Sequence, residues 1–412
     1  MDKQERRGWL IVASLFTGLL TVYGATTDSF GVFFMPLVRE FGWSHARVSI
    51  LAAAMSTSPV VAMPLAGWLL DRIEARFLIG TGILIIGLSL LCVSQVHSFG
   101  LLLLLFLLIG VGLAFSGFMA VSVVVANWFT ERRGTATGIA LAGSSIGGSV
   151  MIIVAKYAMS FGGWRMGYIL LSLPMFLISA PLVFLTVRTR PGSSTAGVSG
   201  SAAHLTGMDF RAALKLRAVW FIGYAQFVGF LVAGAVYFHL VPYLVSRHQS
   251  ERYAAILLGI TSALIGVGKI AGGPTADFFS DRLSAVGVYL LDILLLLLLI
   301  NAPDSKVLTT IALCGIGLTS GASITLTPIL LARSVGLRRF GSISGIVWLV
   351  GTAGLAIGPI FAGRIFDVAG DYVYVFKVLI PICALAAIGI FSLKTRNDEP
   401  SIVPVAQVEA GN

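Results

Sequence analysis

The stretch Gly67-Trp68-Leu69-Leu70-Asp71-Arg72-Ile73-Glu74-Ala75-Arg76 separates two apolar runs, near 46–70 and 77–96. A break carrying Asp71, Arg72, Glu74 and Arg76 cannot lie in hydrocarbon. The runs on either side have the roughly 20 residues needed to cross a core about 30 Å thick. The break is therefore a turn at a membrane surface. Gly67 lets a second helix approach closely, Asp71 can pair with arginines or with a helix N-terminus, and Arg72 anchors at the interface. A related break follows a later apolar run, Gly273-Pro274-Thr275-Ala276-Asp277-Phe278-Phe279-Ser280-Asp281-Arg282. It keeps the glycine and the aspartate at the same spacing and little else. Two such breaks at corresponding places point to a duplicated architecture.

Working outward, the whole chain has the same character. Of 412 residues, 57% are hydrophobic and only 11% charged, with a mean hydropathy of +0.95; soluble domains carry about 25% charged residues. Twelve apolar spans are predicted, near 9–37, 46–70, 77–96, 100–128, 135–158, 164–187, 218–245, 253–276, 285–301, 307–332, 342–364 and 371–393. The break between the third and fourth is weak, resting on Gln95, His97 and Ser98. The first span is too long for a signal-peptide core and no small-residue cleavage site follows it, so it reads as a retained helix. Cys92, Cys314 and Cys383 all lie inside spans without metal-ligand spacing and read as small buried hydrophobes. The fold class is an all-α membrane protein of twelve transmembrane helices.

Placing both termini in the cytoplasm assigns 18 of the basic residues to that side and 7 to the other, the asymmetry of the positive-inside rule. The net charge of +10 thus belongs to membrane topology and not to nucleic-acid binding. The longest break, Pro191 to Gly207, is rich in Ser, Gly, Ala and Thr and reads as a linker, followed by an amphipathic stretch at Met208–Arg217. It divides the chain into an N-terminal six-helix half (1–188), a cytoplasmic linker (189–217) and a C-terminal half (218–412) with a short cytoplasmic tail.

Further motifs accompany the two breaks. Span one ends in Tyr23-Gly24, Asp28-Ser29-Phe30-Gly31 and Pro36-Leu37, followed by Glu40 and Gly42-Trp43-Ser44. Span four runs into Asn127-Trp128-Phe129 and Arg132-Arg133-Gly134, with Ala136 and Gly138 beyond. His239, Pro242 and Tyr243 lie in span seven; Gly341, Gly345, Gly358-Pro359, Phe366-Asp367 and Gly370 mark span eleven and its end. The Gly67–Arg76 break matches the G-x-x-x-D-R-x-x-x-R signature loop of the major facilitator superfamily, and the chain as a whole resembles that superfamily's bacterial monocarboxylate and oxalate:formate branch. The resemblance implies two pseudo-symmetric six-helix halves and transport of small carboxylates by proton symport or anion exchange. It also implies that Gly67, Asp71, Arg72, Arg76, Asp277 and Arg282 gate or brace the halves. Finally, it implies that a span-eight cation holds the carboxylate. Relatives carry arginine there, whereas this chain has Lys269 in Gly268-Lys269-Ile270-Ala271-Gly272-Gly273. That keeps the charge and loses the bidentate fork.

The residues reach Lys269 independently. A charge near the bilayer centre costs about 2.5–3.5 kcal/mol on insertion scales and usually faces a cavity. Lys269 lies about 10 Å inside Ala276 at about 1.5 Å per residue, a long reach for a side chain snorkelling to the edge. The glycines 266, 268, 272 and 273 leave room for another backbone or a ligand. Asp28 in span one is the natural counter-charge and the candidate for proton coupling; the alternative is an acid bonded to Ser29 or Thr27 and water. Asp292 in span nine reads as a structural hydrogen-bonding acid, and Lys156 and Lys377 lie near span ends, where snorkelling is ordinary.

Tyr237 and His239 can donate to a carboxylate, and Ser56, Thr57, Phe118, Ser144 and Trp348 are placed in the site by resemblance and depth. The predicted function is a proton-coupled carrier of a small monocarboxylate such as lactate or pyruvate. In relatives of the oxalate:formate exchanger type the span-eight cation is paired with a second cation in span eleven, whereas residues 342–363 of this chain contain no charge. A drug exporter and a transport-dead sensor or scaffold remain as alternatives. No enzyme is expected, because H-E-x-x-H does not occur and no cluster of His or Cys ligands appears. No metal or cofactor is predicted. The expected partners are the carboxylate, protons and the lipid bilayer, with no nucleic acid, for a monomer in a plasma membrane of the bacterial inner-membrane kind.

Overall fold

The computed structural model describes residues 3–189, 207–301 and 305–393, almost entirely helical. Eleven apolar helical segments are long enough to cross a membrane. One of them, Arg133–Thr186, is two spans, because Gly162 and Gly163 leave helical geometry inside it. Gly163 stands at φ 66°, a left-handed value that glycine adopts without penalty. Twelve spans result: Lys3–Phe41, His45–Leu70, Ala75–Val93, Phe99–Trp128, 133–161, 164–186, Arg217–Ser246, Glu251–Phe278, Asp281–Asn301, Lys306–Val335, Phe340–Ala369 and Val373–Phe391. The weak break at 94–98 is a real interruption. Most spans run a few residues beyond their apolar cores, since helix continues into the interfacial region where charges are solvated.

Local chemistry sets several ends. Ser44 and Ser250 accept the backbone N–H of Arg47 (3.2 Å) and Tyr253 (3.3 Å) at the starts of spans two and eight, each satisfying a donor that has no partner in its own helix. Span one is not a uniform α-helix. It passes through a π-turn at Gly24–Asp28, where Ser29 Oγ donates to the Gly24 carbonyl at 2.5 Å. Such wide turns recur at functional sites, and this one ends on Asp28.

Spans one to six pack on one another, as do spans seven to twelve, with span five crossing onto span eight and span two onto span eleven. The breaks at 71–74, 129–132, 279–280 and 336–339 lie at the end of the bundle that carries the described chain ends, here the terminal end. Of the linker, residues 190–206 and with them Arg190 lie outside the described residues, as do Lys394 and Arg396. The described remainder is docked: Met208 N–H donates to the Val335 carbonyl at 2.8 Å, Gly207 bridges Gly336, and Phe210–Lys215 is a short helix. Cys92, Cys314 and Cys383 are free thiols.

Candidate functional site

At the terminal end the two halves lock by a reciprocal exchange. Asp71 Oδ1 accepts the backbone N–H of Gly341 (2.9 Å), and its Oδ2 accepts Ser342 N–H (2.9 Å) and Ser342 Oγ (2.5 Å). Asp277 does the same in the other direction, with Gly134 N–H at 2.8 Å and Thr135 N–H and Oγ1 both at 2.7 Å. Each aspartate therefore caps the first turn of a helix in the opposite half, where a carboxylate meets unpaired N–H groups and the positive end of the dipole. Burial pushes the Asp71 carboxyl above its ordinary range, against the hydrogen bonds from Ser342 and Gly341 and the charge of Arg339. Glycine makes this closeness possible: a Cβ on Gly67 would run into the Gly341 carbonyl, and one on Gly134 into Gly273. The remaining residues of the expected gate act locally in this conformation. Arg72 lies over the Trp68 ring at 3.8 Å and Arg76 over Phe77 at 4.7 Å, while Arg282 donates to the Leu393 carbonyl at 2.7 Å.

The capped amides give a direct test. Gly134, Thr135, Gly341 and Ser342 have no intrahelical acceptor, so their protection rests on the two aspartates. In an Asp71→Ala/Asp277→Ala protein, hydrogen exchange over 133–136 and 340–343 is expected to speed up at least ten-fold, since a bond to a charged group is worth about 1.5–3 kcal/mol. Unchanged exchange would remove the aspartates from the lock.

Above the lock lies Lys269, 4% exposed. Its Nζ donates to Ser144 Oγ at 2.7 Å and Ser145 Oγ at 3.0 Å, both on span five, and sits 4.8 Å from the centre of the Phe118 ring. Phe118 stacks on Tyr23 (4.2 Å between centroids) and approaches Trp348 (6.0 Å), which meets Phe230 (5.9 Å). Lys269, Phe118, Ser144 and Trp348 thus converge, joined by Ser145, Tyr23 and Phe230. Ser145 adjoins a predicted residue and Tyr23 stands in a quoted motif, but only the tertiary packing shows which face each presents. The glycines around Lys269 serve the packing: Gly268 and Gly272 face span ten, Gly273 faces Gly134 and Gly266 faces Ser145. They admit helices and not a ligand.

Asp28 is exposed and lies against Gly148, one helical turn from Ser144, about 6 Å further along span five at about 1.5 Å per residue. It interacts electrostatically with Lys269, yet no ion pair within 4.0 Å joins them among the described residues. Tyr237 Oη is 2.6 Å from Ser262 Oγ, on the face of span eight two turns from Lys269. The remaining expected residues lie apart from the lysine in this conformation. His239 is turned away, its ring nitrogens 3.0 Å from Tyr372 Oη and from the Pro359 carbonyl, so it braces spans seven and eleven. Ser56 and Thr57 are exposed, and Thr57 Oγ1 donates to its own helix at Ala53; neither reaches the lysine. Asp292 is buried and accepts from Thr319 Oγ1, the structural bond expected of it.

Among the described residues, the hydrogen bonds between the halves all lie at the terminal end or within a turn of the site, the outermost being Thr352 Oγ1 to Met63 Sδ at 3.6 Å. At the far end the described ion pairs and side-chain hydrogen bonds stay within each half: Glu40 accepts from Trp164 and Arg165, and Arg247 pairs with Asp371 at 2.6 Å. Lys269 therefore sits at the floor of a space closed toward the termini and open at the other end, with Asp28 on its wall.

Comparison with known proteins agrees with this architecture. A family model described as Major Facilitator Superfamily matches residues 15–359. Monocarboxylate transporter 13 of Rattus norvegicus is 28% identical over 386 residues, covering 90% of this chain and 85% of the relative. Monocarboxylate transporter 12 of Homo sapiens is 26% identical over 408 residues, covering 90% and 77%. Among solved structures, the transporter FucP in its outward conformation superposes with a TM-score of 0.69 at 16% identity, over 93% of this chain and 99% of that one. The human organic anion transporter TETRAN gives 0.72 at 15% identity, over 95% and 100%. With twelve apolar spans in two interlocked halves and a family match across most of its length, the chain belongs to the major facilitator superfamily and is a multi-pass membrane transporter.

Proposed function

We propose that the protein is a secondary carrier of small monocarboxylates, of the size of lactate or pyruvate, working by proton symport. The observation that carries this reading is Lys269: a buried cation held by two hydroxyls and an aromatic face, without a carboxylate beside it among the described residues. A buried charge without a counter-ion is costly, and a solute carboxylate arriving from the open end supplies one. The Ser145 hydroxyl adds a donor, and the Phe118 and Trp348 rings suit a short alkyl group. A single cation, with no charge on 342–363 of span eleven, suits one carboxylate better than two. The names of the relatives, monocarboxylate transporters, favour the same class.

In this reading Asp28 is the proton site. The solute carboxylate takes the lysine, Asp28 takes a proton, and both charges in the space are then neutralised. The two six-helix bodies rock about the midplane site, opening the locked end as the far end closes. The excess of basic residues at the terminal end supports termini on the cytoplasmic side; in this reading the membrane is a plasma membrane of the bacterial inner-membrane kind, and a monomer suffices for the cycle.

Uptake of labelled lactate, pyruvate, acetate and oxalate into proteoliposomes tests this directly. A proton gradient directed inward is expected to accelerate lactate or pyruvate uptake, and Asp28→Asn is expected to erase that acceleration while leaving exchange of the carboxylate. Uptake of none of the four by the wild type would overturn the substrate class. Acceleration that survives in Asp28→Asn would overturn the proton site, and uptake only against a preloaded oxalate or formate would favour the exchanger.

A further inference from the structure

The aromatic floor beneath Lys269 has polar groups under and beside it. One helical turn toward the terminal end from Phe118 on span four is Ser122, 2% exposed; one turn in the same direction from Phe230 on span seven is Gln226, 1% exposed; and one turn from Trp348 on span eleven is Ser344, 2% exposed. The side-chain polar atoms of all three, including both the Oε1 and Nε2 of Gln226, are buried and without a hydrogen-bond partner among the described residues. Gln226 is packed across Gly351, the next turn of span eleven beyond Trp348.

Leaving a buried donor or acceptor unpaired is costly, and native folds carry few such groups. Three around one floor, from both halves of the bundle, have no role in sealing it: leucine or alanine would seal it better. Hydroxyls close by are satisfied, Ser116 of span four by the Gly112 carbonyl, Ser144 of span five by that of Leu141 and Thr325 of span ten by that of Lys269. What distinguishes the three is their place, Ser122 and Ser344 between the site and the interlocked end and Gln226 beside the aromatic floor.

We propose that Ser122, Gln226 and Ser344 form a second polar station on the solute's route, sealed in this conformation and exposed to the terminal face when that end opens. The carboxamide N–H and the two hydroxyls offer a small carboxylate neutral donors after it leaves Lys269, so the anion crosses the aromatic floor without being stripped of every hydrogen bond. The identity of the solute rests on the carrier reading above; the lining of the passage does not.

Ser344→Cys and Ser122→Cys, small changes in opposite halves, are treated from the terminal face with a charged, membrane-impermeant thiol reagent. Labelling at least five-fold above the background of Cys92, Cys314 and Cys383 is expected at both; background labelling at both overturns the proposal. In the second measurement, Gln226→Leu/Ser344→Ala is expected to raise the KM for lactate or pyruvate at the terminal face roughly ten-fold and leave the KM at the open face unchanged. An equal effect at both faces, or none at either, overturns the station as a solute contact. If the wild type moves neither solute, the substrate reading fails by itself, and the labelling still decides whether these residues line a passage.

Discussion

Replacing Lys269 by methionine is expected to lower carboxylate uptake by at least 100-fold while leaving the protein folded with an unchanged or higher thermal midpoint. Methionine keeps the length and flexibility of the lysine stem and removes its charge. The lost rate corresponds to about 2.7 kcal/mol at about 1.36 kcal/mol per ten-fold, within reach of one charge-assisted contact with its desolvated surroundings. The thermal expectation has a separate origin. Lys269 is 4% exposed, and its Nζ has two serine hydroxyls and a ring face in place of a counter-ion. Removing it relieves a desolvation cost, and the remaining charge, Asp28, is exposed in the open space and so little disturbed. Lys269→Arg is expected to restore part of the uptake, since charge is kept. Uptake in proteoliposomes and a melting curve on the same sample check the prediction; full activity in Lys269→Met would make the lysine structural.

The second large effect concerns the lock, where single methyl groups should act with opposite sign according to position. Gly134→Ala puts a Cβ 2.7 Å from Asp277 Oδ1 and against the Gly273 carbonyl, neither of which can yield without parting the halves. The terminal end then stays open, the far end loses its open state, and net uptake from the far side is expected to fall below a tenth. Shifting a population from one state almost wholly to the other takes about 5.5 kcal/mol, and overlap between two packed backbones supplies strain of that order. Gly31→Ala and Gly259→Ala are the controls. Nothing lies within 4 Å of either added methyl, and both sites are helical, so each is expected to stabilise by up to about 1 kcal/mol with uptake unchanged. Equal uptake in Gly134→Ala and Gly31→Ala would show that the close approach is not the hinge of the cycle.

Hydropathy made the spans legible because hydrocarbon imposes length and apolarity on every crossing segment, and the Gly163 break was visible as the short gap between the fifth and sixth runs. The lysine was legible for the same reason: one buried charge stands out in an apolar run. Its neighbours were harder. Ser144 and Phe118 were placed by depth and resemblance, whereas Ser145, Tyr23 and Phe230 depend on helix rotation, which a sequence without a clear amphipathic stripe does not specify. His239 misled because a histidine in a span suggests a ligand group, and only the structure shows both nitrogens engaged by Pro359 and Tyr372. The glycines of span eight misled in another way. They promised space for a solute and are filled by helix backbone, as small residues in membranes commonly are.

The π-turn of span one carries a consequence for how this chain tolerates change. An extra residue in a helix rotates everything beyond it by about 100°, given 3.6 residues per turn. The wide turn at Gly24–Asp28 absorbs one such residue between Tyr23, stacked on Phe118, and Asp28, set against Gly148. It is the coupling sleeve that clocks two segments of one helix independently. Drift in the length of this segment by a single codon would leave the aromatic floor intact and swing the acid out of the opening, separating the part of the machine that grips a solute from the part that faces the charge beside it.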